Sequence, residues 1–167
     1  MSTIQNEPDW LTEARRHLDV AEVPGPKHSP VIQSWLHKLR AWWNDDETPW
    51  CGVFVAACMD TVGIPLPKYW MRAKAWAEWG LRLSAPVPGC IVVFERQGGG
   101  HVGFVVGRTA KGHLMVLGGN QGNRVSIAPF DRTRAVAYVW PSGVPMPPHS
   151  VLAVLDAGGA QLSTNEA

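Results

Sequence analysis

At 167 residues the chain has the length of one domain with a full hydrophobic core. Its 15 basic and 14 acidic side chains leave a formal charge of +1, which removes any electrostatic case for a nucleic-acid or membrane-surface partner. Apolar residues make up 46% of the chain and charged residues only 17%, a charged fraction that is low for a soluble protein.

The amino terminus, Met1 to Trp10, has neither a basic start nor an apolar run, so no signal peptide is expected. No apolar stretch is long enough for a bilayer, and a soluble chain made in the cytoplasm is expected. Residues 1–8 read as an extension. Pro8-Asp9 opens a first helix, from residue 9 to about 20, with Trp10, Leu11, Ala14 and Leu18 on one face. Val23-Pro24-Gly25-Pro26 ends it. Ser29-Pro30 is a cap followed by proline and predicts a second helix to about Arg40.

The next stretch, Asp45-Asp46-Glu47-Thr48-Pro49-Trp50-Cys51-Gly52, carries the chemistry. Thr48 is a preferred cap and Pro49 suits the first helical position, which puts Cys51 in the first turn of a third helix. Phe54, Val55, Cys58 and Val62 follow at helical spacing. First-turn N–H groups and the positive end of the helix dipole favour thiolate over thiol. Gly52 leaves backbone N–H groups beside the sulfur uncovered for a substrate carbonyl. The bland alternative is a cysteine that is simply a small core hydrophobe, and Cys58 and Cys90 are read that way.

Pro65 and Pro67 stop the third helix, and Met71 to Trp79 predicts a short fourth. Ala85-Pro86-Val87-Pro88-Gly89 then bridges to β-branched runs. Five strands are predicted: Cys90 to Glu95, His101 to Gly107, His113 to Leu117, Arg124 to Ala128 and Ala135 to Trp140. Short glycine-rich joints favour antiparallel neighbours, and helices before strands is an α+β pattern. The working domain is therefore residues 9–141. Val151 to Leu155 offers one more short element, within a proline- and glycine-rich tail of residues 142–167 whose end, from Gly158, reads as loose.

A cysteine nucleophile needs a base, and the base needs an orienting group. His101, between Gly100 and Gly103 at the head of an apolar strand, is the candidate base. Asn120, at the end of the following strand, is the candidate orienting residue, because its carbonyl accepts an imidazole N–H. Asn120-Gln121-Gly122-Asn123 reads equally as a turn. His113 is a rival third member, ranked lower because it falls at the far end of its strand. Nine tryptophans are many for this length. Trp43, Trp50 and Trp70 are candidate groove walls, with packing an equal reading. Asp46 and Glu47 are candidate binders of an amine, against the plainer reading of solvated charges. Three cysteines without a CxxC pair suggest neither disulfide framework nor zinc, so no metal or cofactor is expected.

In combination these pieces resemble the NlpC-type and CHAP (cysteine, histidine-dependent amidohydrolase/peptidase) families of papain-like cell-wall hydrolases, in particular short bacterial and phage proteins with a DETPWCG cysteine motif. The matching segments are Asp46 to Gly52, Pro65 to Ala73, Pro88 to Phe94, Gly100 to Phe104 and Leu117 to Gln121, spread over residues of about 9 to 140. The resemblance implies a papain-like fold, with N-terminal helices, one carrying the nucleophile, packed on a C-terminal antiparallel sheet of about five strands. It also implies hydrolysis of a peptidoglycan amide bond. Carried over by position, Cys51 is the nucleophile, His101 the base and Asn120 the polar third residue. Apart from that carry-over, Trp50, Gly52, Asp46, Glu47 and Trp70 are the candidate oxyanion and substrate-binding residues. Many relatives have an acidic residue where Cys90 stands, and the asparagine inclines the chain to the CHAP and papain style.

The expected partner is a peptidoglycan stem peptide, met by a monomer acting at the cell wall or periplasm after release or non-classical export. Two other classes stay open. One is a glycan-binding module in which the tryptophans work and Cys51 is inert. The other is a papain-like toxin acting on a protein.

Overall fold

Local rules start the elements of the computed structural model, which describes residues 7–23, 27–43, 49–96, 99–146, 151–157 and 162–163. The first helix, α1 (Asp9–Arg15), is shorter than its apolar pattern suggests. It stops because residues 19–22 run beside 123–125 instead: Asp19 N donates to Val125 O (2.9 Å), and Val125 N to Val20 O (2.7 Å). The second, α2 (Pro30–Lys38), begins as expected, with the Ser29 hydroxyl accepting from Ile32 N at 3.3 Å and Pro30 at the first position.

The third, α3 (Cys51–Thr61), starts at the cysteine itself, with Trp50 rather than Thr48 in the capping position and no side-chain cap. Thr48, and with it Asp46 and Glu47, lies outside the described residues. Every residue from Cys51 to Met59 is buried. A helix apolar all round must be covered all round: α1 and α2 cover one side and the sheet the other. The predicted fourth helix is a 3-10 helix, Ala73–Glu78.

The sheet has six strands: β1 (Leu81–Leu83), β2 (Ile91–Arg96), β3 (Gly99–Arg108), β4 (Leu114–Gly118), β5 (Ser126–Phe130) and β6 (Ala135–Trp140). Their order is β1-β6-β2-β3-β4-β5, and each neighbouring pair is antiparallel. The five predicted strands are present, and β1 is an addition at the edge. The fold is the α+β arrangement expected from helices preceding strands. The central strand, β3, outruns β4: Phe104 pairs with Leu117, so the strand's first residues extend past the end of β4 near Gly118. That overhang receives the start of α3.

The short element expected at Val151 to Leu155 takes the form of a single bridge, between Val154 and Arg108. Residues 153–155 lie along the far end of β3, with Arg108 N donating to Ala153 O (2.9 Å) and Leu155 N to Arg108 O (2.7 Å). Further on, Ser163 N donates to Pro129 O at 2.8 Å.

Candidate active site

Cys51 is the first residue of α3, and the N–H groups of Val102, Gly52 and Cys51 itself are directed at its sulfur. Val102 follows His101 on β3, so the sulfur lies against the backbone next to the base candidate, where the helix start abuts the strand overhang. The electrostatics differ from the helix-dipole expectation. Cys51 is only 4% exposed, and burial pushes its thiol up, outweighing the three N–H groups and the positive charge of Arg96. Desolvation penalises the anion more than partial charges reward it. Burial thus favours the thiol while anion-stabilising donors are already in place, and the sulfur is covered.

Gly52 has a structural reason as well as a chemical one. A Cβ there would lie 2.6 Å from Trp70 O and 2.8 Å from Met71 O, so the backbone of residues 70–71 occupies the space that a side chain would take. The expectation that this glycine leaves its backbone uncovered is corrected on that face, although its N–H serves the sulfur.

His101 is fully buried. Its ring lies parallel to Phe130 (5.4 Å, 7°) and close to parallel with Phe94 (6.3 Å, 21°). Its Nε2 is 3.0 Å from Gln121 Oε1. The residue after the expected Asn120 thus makes the hydrogen bond at this nitrogen. The cause is local backbone: Asn120 has φ 61°, a left-handed conformation that asparagine tolerates, and this turn brings Gln121 to the imidazole. Asn120 is itself fully buried. His113 lies at the opposite end of β4 from Gly118, since Arg108 pairs with Leu114.

The segment Gly118 to Gln121 can be read residue by residue. A side chain at Gly118 would collide with Gln121 Oε1 and come within 3.3 Å of His101 Nε2. One at Gly119 would lie 2.6 Å from Phe54 Cβ and 2.8 Å from the Trp50 ring. The first glycine makes room for the histidine–glutamine pair, and the second for the nucleophile helix.

Of the tryptophans, Trp50 is not a groove wall. It is 1% exposed, and its Nε1 donates to Glu22 Oε1 at 2.8 Å. Trp70 is partly exposed and stacks on Trp43 (6.1 Å, 27°). Trp42, 85% exposed, meets Trp43 edge-on at 4.9 Å. Cys58 and Cys90 are core thiols; burial raises both, Cys90 to about 12. Among the described residues no cluster of metal-ligating side chains occurs, and no helix is long and apolar enough to cross a membrane.

Two residues were not singled out in the sequence. Gln121 stands beside the chosen asparagine and carries the same amide, so the local pattern did not separate them. Arg96 ends β2 and bears on the sulfur only through strand pairing, and it carries no local signal. A search of curated proteins finds no match to the chain. Residues 43–120, from Trp43 through the cysteine helix and His101 to Asn120, match the family model described as CHAP domain, a likeness consistent with an NlpC/CHAP-type cysteine hydrolase.

Proposed function

We propose that the chain hydrolyses an amide bond of the peptidoglycan stem peptide by acyl transfer to Cys51, with His101 as general base and then general acid. The single observation that carries this reading is the convergence at the sulfur. Within a CHAP-domain match, a helix start and the Val102 N–H, one residue from His101, surround one thiol.

Because burial holds the thiol protonated, His101 removes the proton as the sulfur attacks rather than standing beside a preformed thiolate. The carbonyl carbon becomes tetrahedral. N–H groups of the first turn of α3 stabilise the oxyanion, an interaction for which one donor is worth about 10²–10³ in kcat. His101 then protonates the leaving amine, and water, activated by the same imidazole, releases the acyl group and regenerates the thiol. Trp43 and Trp70 wall the approach to the first turn of α3, supported by the contact of residues 70–71 with Gly52. The site of action that follows from this substrate is the cell wall.

Purified sacculi incubated with the protein and read by mass spectrometry test the reading. Soluble fragments bearing a new amine end are expected, and the identity of that end assigns amidase or endopeptidase cleavage. The Cys51→Ala variant is expected to release none. Undiminished sacculus binding without release by the native protein would establish a binding module instead. Inert sacculi together with cleavage of a protein substrate would establish the toxin reading.

A further inference from the structure

We infer that Gln121 is a positioning residue that fixes the tautomer of His101, putting the proton on Nε2 and the lone pair on Nδ1. The consequence for turnover rests on the hydrolase reading above, whereas the tautomer itself does not.

The argument begins with the amide. An amide's nitrogen and oxygen are distinguished by their hydrogen-bond partners. Gln121 Nε2 is 2.8 Å from Ser126 O and 3.1 Å from Val116 O. Carbonyl oxygens only accept, so both amide hydrogens are committed to them. Turning the amide over would set Oε1 against two other oxygens. Oε1 must therefore face the ring, where it lies 3.0 Å from His101 Nε2. An amide oxygen also only accepts, so Nε2 must carry a hydrogen. A neutral imidazole has one N–H, which leaves the basic lone pair on Nδ1. A base that takes a thiol proton needs that lone pair on a defined atom.

The surroundings hold this arrangement in place. Gln121 N donates to Arg124 O (2.9 Å), and Gln121 O accepts from the Ser126 hydroxyl (3.1 Å). The ring plane is set by Phe94 and Phe130, themselves stacked at 4.5 Å and 14°. The absent side chain at Gly118 leaves the space in which Oε1 reaches Nε2. A neutral amide orients the ring without adding a negative charge beside it. This differs from a carboxylate partner, which would also favour the protonated imidazolium.

The test uses the full chain labelled with 15N-histidine, together with the Gln121→Met variant, which keeps the side-chain length and removes the amide. With the ring neutral, the His101 signal of the native protein is expected to show a pyrrole-type Nε2 and a pyridine-type Nδ1. In Gln121→Met the two tautomers should mix. On sacculi, kcat should fall about 10- to 100-fold with KM little changed, part of the 10²- to 10⁴-fold that general-base catalysis supplies. A merely structural role would lower the melting temperature without moving the tautomer. A native spectrum with the proton on Nδ1, or a variant whose spectrum and kcat match the native protein, overturns the inference. Should Gln121→Met fail to fold, the native spectrum decides. A native protein with the expected tautomer but no action on sacculi would sink the peptidoglycan reading and leave the positioning of His101 standing.

Discussion

Cys51 and Cys58 lie on one helix, seven residues and two turns apart, and both are buried. For both, burial pushes the thiol up. They differ in what opposes that push. The first turn supplies N–H groups from Gly52 and Cys51, β3 adds that of Val102, and Arg96 contributes positive charge. The third turn supplies nothing comparable, and the Glu13 carboxylate raises Cys58 further. A buried thiol becomes a nucleophile candidate through the donors aimed at it, and a helix offers unpaired donors only at its start.

The sharpest way to break this comparison is to remove each sulfur in turn. Cys51→Ala is expected to cut peptide release from sacculi by orders of magnitude, because each chemical step passes through one covalent adduct. Cys58→Ala should leave turnover intact and cost about 1–3 kcal/mol of stability through the cavity it opens, read as a lower denaturation midpoint. Equal activity of the two variants would end the nucleophile assignment.

Alkylation against pH sharpens the contrast. Cys51 should react first, at pH above the ordinary thiol range, while Cys58 and Cys90 stay unmodified in the folded chain. The same shifts predict an alkaline loss of stability. In the unfolded chain Cys90 ionises near 9.0, whereas the folded chain holds its proton to about 12. Its contribution is complete below the lower value and disappears as pH rises through the upper one. The unfolding free energy should slope downward across that window, and a flat profile would contradict the burial of these thiols.

The smallest expected effect is that of Arg96→Gln. Its charge lowers the Cys51 value only after burial and the Val102 and Gly52 N–H groups have had their larger effects. Losing it should move the Cys51 alkylation curve modestly to higher pH and leave Cys58 where it was.

What the sequence made legible follows the range of the forces involved. Strands β2 to β6 were found within about two residues because β-branched runs bounded by glycine are a local signal. The edge strand Leu81–Leu83 was missed: it is three largely exposed residues, made a strand by pairing with Tyr138 to Trp140. Cys51 and His101 stand out as candidates from a helix start and a glycine-flanked strand head. The raised thiol does not, because a helix dipole is local whereas desolvation sums over everything packed around the sulfur. That Gln121 rather than Asn120 reaches the His101 Nε2 follows from a left-handed turn and from carbonyls on β4 and β5, neither of which a one-dimensional pattern displays.

The segment at residues 153–155 that lies along Arg108 has a consequence for anyone who shortens this chain. It satisfies the N–H and C=O of Arg108 on the side where β2 has already ended. Cutting the chain after residue 146 would bare those polar groups and invite a second molecule to dock by strand addition. A trimmed protein should then sediment as a larger species than the full-length one, its solubility limited by a newly adhesive rim.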